Sequence, residues 1–161
     1  NEKADKIRAV ILERAWSDKR GAFVESFGGE TLDASALLMG EVGFIAADDP
    51  RFVSTVEQLE KVLARGPFML RYEEADDFGV PETGFNICAF WRVDALARIG
   101  RRSEARAIFE ELLAARNPLG LMSEDTDFND HTPWGNFPQT YSMVGIINGA
   151  MRLSKSWEEG T

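Results

Sequence analysis

Three stretches of this chain would be apolar on nearly every side if wound into a helix, and they start near Asp33, Gly84 and Gln139, about fifty residues apart. The first, Ala34 to about Ile45, carries Leu37, Leu38, Met39, Val42 and Phe44. The second, about Gly84 to Ile99, carries Phe85, Ile87, Cys88, Phe90, Trp91, Val93 and Leu96. The third runs from about Gln139 to Leu153. A helix with apolar residues all round must be enclosed by other elements. Each of the three is preceded by a helix of the other kind, apolar on one face only. Ile7, Val10, Ile11 and Ala15 recur at helical spacing in Asn1–Ala15. Phe52, Val56, Leu59 and Leu63 oppose Glu57, Glu60 and Lys61 in the stretch to about Arg65. Ile108, Leu112 and Leu113 oppose Glu104, Glu110 and Glu111 in the stretch from Ser103 to about Arg116.

The alternation predicts two layers, inner helices walled by outer ones and joined as αα-hairpins. Boundary residues agree with it. Asp33 has the chemistry of an N-cap, Asp48-Asp49-Pro50 supplies a cap and a first-turn proline, and Gly100 ends the second inner helix. Short connections at Asp49-Pro50 and Gly100 lie at one end, so the three long loops gather at the other, the end where sites form on a rigid scaffold. The repeat is too long for tetratricopeptide units and lacks their signature. An all-α architecture results, with three αα-hairpins forming an arc, about half, of an (α/α)6 toroid. An arc leaves inner-helix surface uncovered at its sides, and self-association through those faces is expected.

Charge and length narrow the classes of function. The 161 residues hold 18 Lys and Arg against 27 Asp and Glu, a net charge of -9, which argues against a nucleic-acid partner. No apolar run reaches the length of a membrane span. One cysteine, Cys88, makes no internal disulfide and reads as buried packing. With a single histidine, His131, it makes no metal site, and no cofactor motif is present. Cytoplasmic placement is expected. The first residue is Asn1 rather than Met, as in a piece of a longer parent, with residues 1–153 forming the folded part and 154–161 a loose tail.

Among the loops, residues 120–138 stand out, since a loop longer than about 12–15 residues inside a compact domain is usually functional or disordered. Phe128, Trp134 and Phe137 speak for order, and Glu124 near its start is the candidate for chemistry, against the plainer reading of a solvated acid. Trp134 suits either stacking on a sugar ring or plugging the loop. The run Glu73–Asp77 reads as a solvated face and the natural ion-pair partner of Arg71. Phe90 and Trp91 read as core, and His131 as an exposed loop residue.

Arg20-Gly-Ala-Phe-Val-Glu-Ser-Phe-Gly28, Leu32-Asp-Ala-Ser35, Gly43-Phe44 with Asp48-Asp-Pro50, Leu70-Arg-Tyr72, Phe90-Trp91, Leu121-Met-Ser-Glu124 and Gly135-Asn-Phe-Pro-Gln139 follow one another in that order. Together they resemble the C-terminal half of the catalytic module of glycoside hydrolase family 15, the glucoamylase-like enzymes with trehalase relatives. The resemblance spans essentially the whole chain, and the fold it implies is an (α/α)6 barrel. The activity it implies is inverting hydrolysis of α-linked glucosides, in which one carboxylic acid protonates the leaving oxygen and a carboxylate activates water on the opposite face. It places the general base on Glu124. It places sugar-hydroxyl contacts on Arg71, whose planar guanidinium suits paired hydroxyls, and on Tyr72, and adds Glu82 as a sugar ligand. Trp134 stands where many members of the family have another residue, and is a substrate-binding candidate on its aromatic face alone. The family's general acid lies in a Trp-Glu loop of the other half; the Trp157-Glu158 pair here sits in the tail, out of that context.

The sequence therefore implies a fragment of a glucoamylase-like enzyme cleaving terminal α-glucosidic bonds, inactive by itself for want of the acid. A trehalase of the same family is the alternative, and a non-catalytic helical domain binding sugar or protein is a third reading. The partner expected in the first two is an α-glucoside.

Overall fold

The computed structural model describes residues 2–75, 77 and 79–154. Six α-helices carry the fold among them: α1 Glu2–Arg14, α2 Leu38–Glu41, α3 Pro50–Leu63, α4 Asn86–Arg98, α5 Arg102–Ala114 and α6 Thr140–Leu153. The tail from 155, with Trp157 and Glu158, lies outside the described residues. Helix α3 begins as its residues dictate: Asp49 is extended and its carboxylate accepts from the Arg51 backbone N–H at 2.9 Å, with Pro50 in the first turn. Between α4 and α5 the chain turns through Gly100 at φ 91°, a left-handed conformation that costs glycine little.

Helix α4 is the centre of the molecule. Ile87, Cys88, Ala89, Phe90, Trp91, Val93, Ala95 and Leu96 are all buried, enclosed by α2, α3, α5 and α6 and by the 3-10 turn Ala34–Leu37. At roughly 1.5–3 kcal/mol for each large apolar side chain fully removed from water, this helix alone supplies a large part of the hydrophobic stabilisation. Its one buried charge, Arg92, donates from Nε to Glu60 Oε1 at 2.8 Å and from Nη1 to the Gly66 carbonyl at 2.9 Å. Glu60 also takes Arg101 at 2.5 Å. The expectation that Glu60 faces water on the polar side of α3 is thus corrected, because two guanidinium groups cover it.

The first inner helix is also shorter than its apolar content predicts. Residues 34–45 form the 3-10 turn and the single turn of α2, and the chain then leaves helix, with Gly43 at φ 67°. Gly40 explains the close fit there: a Cβ on it would meet the Phe52 ring at 2.9 Å. Helix α1 buries none of its residues, and Ile7 and Val10 are exposed.

The loops at the other end are knitted by short strands. β1 Trp16–Ser17 pairs with β2 Ala22–Phe23, and β3 Ala64–Arg65 with β4 Phe68–Met69. The long 120–138 segment is not irregular. It folds into a hairpin of β6 Asp125–Asp127 and β7 Pro133–Trp134, which adds to β5 Thr83–Phe85 as an antiparallel three-stranded sheet in the order β5-β6-β7. Gly84 in β5 lies so close to Phe68 that a Cβ would approach the Phe68 Cβ to 2.7 Å.

Candidate active site

Glu124 is the last residue before β6, and its backbone is held from two directions. The Asn86 N–H, in the first turn of α4, donates to the Glu124 carbonyl at 3.0 Å, and the Glu124 N–H donates to the Asn136 carbonyl at 2.9 Å. The neighbouring Ser123 carbonyl accepts two side-chain donors, Asn86 Nδ2 at 3.0 Å and Ser142 Oγ at 2.8 Å. Asn86 is 1% exposed and completes its bonding by accepting from Thr126 Oγ1 at 3.0 Å. Buried polar groups that satisfy one another in this way fix a unique local geometry. Among the described residues no buried side-chain polar atom lacks a partner.

The Glu124 side chain meets Asn136 again. Its Oε2 accepts from the Asn136 backbone N–H at 3.1 Å and from Nδ2 at 2.8 Å. Beyond it opens a cleft of about 290 Å3 lined by Arg71, Tyr72, Pro81, Thr83, Phe85, Glu124 and Asp125. The fold therefore brings Glu124 to Arg71 and Tyr72, which precede it by more than fifty positions in sequence. A second polar groove, of about 450 Å3, shares Arg71 and Tyr72 and continues past Asp33, Ser35, Glu25 and Glu74.

Arg71 reaches the cleft from the strand-like segment after β4. Its Nε donates to both Asp33 oxygens, at 3.1 and 2.9 Å, and its guanidinium lies 5.8 Å from the centre of the Trp91 ring. Burial works against the guanidinium charge, but the Asp33 hydrogen bonds and charge outweigh it, so the pKa is held above its usual value. Asp33 thus does two things, because its Oδ1 also accepts from the Ser35 N–H at 2.7 Å as the cap of the 3-10 turn. Among the described residues, Arg71 is paired with Asp33 and with none of the Glu73–Asp77 run expected as its partner. Glu73 itself is taken by Arg20, at 2.9 and 3.2 Å, and by the Leu32 N–H at 3.0 Å, so that part of the acidic run is not a solvated face.

Strand geometry decides which of the remaining candidates point into the cleft. Side chains alternate along a strand, and directly paired residues share a face. Thr83, Phe85, Asp125 and Trp134 lie on one face through the pairs Phe85↔Asp125 and Asp125↔Trp134, with Thr83 Oγ1 donating to Asp125 Oδ2 at 2.9 Å. Trp134 is 56% exposed at the end of this face. Glu82 is exposed, and its neighbours Pro81 and Thr83 line the cleft in its place. His131 is exposed at φ 61°, with its ring edge-on to Phe68 at 5.2 Å. Cys88 is buried behind the site, and burial pushes its thiol well up, so it is an inert packing group.

Two residues of the site carry no signal of their own in the sequence. Asp125 is half-buried in the cleft. Burial raises its carboxyl above the usual range, the Thr83 hydroxyl partly offsets this, and the Glu124 charge adds to it. Asn86 supports Glu124 from below. An asparagine opening an apolar helix is the only hint that the sequence offers for it.

The model of the family described as "Glycosyl hydrolases family 15" matches residues 1–151. A trehalase of Mycolicibacterium smegmatis is 39% identical over 97% of this chain and 24% of its own length. A trehalase of Thermoplasma volcanium is 33% identical over 94% of this chain and 25% of its own. The chain thus spans about a quarter of the length of these curated relatives. The solved structure described as "Glycosidase Wild Type" superposes with a TM-score of 0.81 at 20% identity, over 94% of this chain and 43% of that one. A substituted glycosidase in complex with glucose gives 0.80 at 19%, with the same coverage. At these identities the likeness is one of fold.

Proposed function

Since the chain belongs to the glycosyl hydrolases family 15, we propose that it is part of the catalytic module of a trehalase, with Glu124 as the general base of an inverting hydrolysis. The trehalase reading is preferred to the glucoamylase one because the relatives that align along nearly the whole chain are named trehalases. The helix pairs are then part of an (α/α)6 barrel, with the cleft on its loop-rich rim.

One observation carries the chemical assignment. Glu124 opens onto a polar cleft with Arg71 and Tyr72 opposite, and its carboxylate is anchored through Oε2 only. Among the described residues Oε1 takes no hydrogen bond, so it can accept one from water. In the proposed reaction that water forms a bond to the anomeric carbon and gives its proton to Glu124. The glycosidic C–O bond breaks, and the leaving oxygen takes a proton from a carboxylic acid on the other face of the sugar. That acid comes from outside residues 2–154 in this reading, so the stretch by itself does not turn over. Arg71, held by Asp33, and Tyr72 bind sugar hydroxyls. Trp134 stacks on a ring at the cleft edge, and Glu82 contributes from the rim outside the lining. Asp125 is a further hydroxyl acceptor.

The test is Glu124→Gln in the complete protein, assayed on trehalose. The expected loss in kcat is about 10³-fold, within the range for removal of a positioned acid–base group. Inversion at one anomeric centre of an α,α-linked disaccharide releases one β- and one α-glucose, which proton NMR resolves before mutarotation. Two α-glucoses, or undiminished turnover by the variant, would sink the assignment. Activity on maltooligosaccharides with none on trehalose would return the glucoamylase reading.

A further inference from the structure

The Gly135–Gln139 motif is left without a task by the reaction above. We propose that Asn136 is a positioning residue that fixes which oxygen of Glu124 faces the attacking water. The proposal rests on the reading of Glu124 as general base.

Asn136 grips Glu124 at three points: carbonyl to backbone N–H at 2.9 Å, backbone N–H to Oε2 at 3.1 Å, and Nδ2 to Oε2 at 2.8 Å. Two donors converge on one oxygen of the carboxylate, which sets its terminal torsion and leaves Oε1 as the oxygen turned away from the hairpin. A carboxylate bound by one donor or none can rotate and present either oxygen, so part of its population faces the water wrongly. Fixing the group beforehand removes that loss from the barrier, and misplacement by about an ångström can cost about 100-fold in rate.

The residue before it is shaped for the same purpose. Gly135 adopts φ 73°, and a Cβ there would stand 2.8 Å from Oε2 and 3.0 Å from the Glu124 Cβ. The backbone N–H of residue 136 can reach the carboxylate only because nothing projects from 135. Asn136 is exposed, so its side chain contributes little to packing and its bonds to Glu124 are its main contacts. The support is also independent of Asn86 and Ser142, which hold the backbone from the helix side.

The experiment compares kcat, KM and pH profiles on trehalose for the complete protein and for Asn136→Ala, Asn136→Asp, Glu124→Gln and the double variant Asn136→Ala/Glu124→Gln. Asn136→Ala is expected to lower kcat by about 10- to 100-fold with KM within about twofold and the thermal midpoint unchanged. Asn136→Asp keeps the shape but sets a second carboxylate against Oε2. The acid limb of kcat/KM then moves up by about one pH unit or more, while Arg71 and Asp125, the other charged groups of the cleft, are untouched. In the Glu124→Gln background the Asn136→Ala change costs nothing further, since there is no base left to orient. Wild-type kcat and pH profile in both single variants, with Glu124→Gln inactive, would overturn the positioning role and leave the base in place. An undiminished Asn136→Ala effect in the double variant would also overturn it, as a purely structural loss. Full activity of Glu124→Gln would remove the base itself and the proposal with it.

Discussion

Helices α4 and α6 both start beneath Glu124, and each lends one side chain, Asn86 and Ser142, to the Ser123 carbonyl. Past their first turns they diverge. Helix α4 is enclosed on every side. Helix α6 packs on α4 and α5 along a narrow stripe of Ser142, Gly145, Gly149 and Leu153, and it leaves Tyr141, Val144, Ile147 and Met151 exposed. Its grip is nonetheless close. A Cβ on Gly145 would stand 2.4 Å from the Phe90 ring, and one on Gly149 2.7 Å from the Phe109 ring. The pair teaches that apolar content says a helix needs neighbours, while the number of neighbours decides how much of it is buried. The groove beside α1 and α2 follows the same rule: about 590 Å3, lined by Ile11, Phe23, Met39, Val42 and Phe44 among others.

The comparison can be broken by substitution. Leu96, fully buried in α4, should cost about 2–5 kcal/mol as Leu96→Ala, whereas Ile147→Ala on the open face of α6 should change stability by no more than about 0.5 kcal/mol. Urea denaturation of both variants reads the contrast, and similar losses would mean that α6 is enclosed in solution. Next in size is Gly145→Ala, where the added methyl must displace Phe90. A loss of about 1–3 kcal/mol is expected in the same measurement, and a neutral or stabilising result would mean that α6 stands farther from α4. A last pair of substitutions sharpens the shared start of the two helices. Asn86→Ala leaves the Thr126 hydroxyl without its acceptor and should cost about 1–3 kcal/mol, while Ser142→Ala removes one of two donors to a carbonyl and should cost about 1 kcal/mol or less. The reverse order would assign the anchor to α6.

Much of this was legible in order along the chain. Asp49-Pro50 and Gly100 mark helix ends through backbone chemistry that acts within a few residues, and the structure starts α3 at Pro50 and ends α4 at Arg98. Phe90 and Trp91 read as core and are buried. The ordered motifs indicated the family, and with it the three residues that the fold gathers in the cleft. The misses have a common cause. Strands of two and three residues are too short to show a period-2 pattern, so the β5-β6-β7 sheet was invisible. The Asp33–Arg71 pair joins residues 38 positions apart, and Arg92–Glu60 residues 32 apart. No local pattern announces either pairing: one gives Arg71 a partner other than the adjacent acidic run, and the other takes Glu60 out of solvent.

The sequence by itself determined where the longer helices lie, which segments need neighbours, and which family's motifs the chain carries, because capping, periodicity and residue type act locally; the 34–45 stretch, which leaves helix after α2, is the exception. Tertiary structure alone decided that Asp33 holds Arg71, that Glu82 stays out of the cleft lining while Asp125 enters it, and that Asn136 closes on one oxygen of Glu124. Those outcomes depend on strand register and on distances of a few tenths of an ångström between segments far apart in the chain, which only the packed fold fixes.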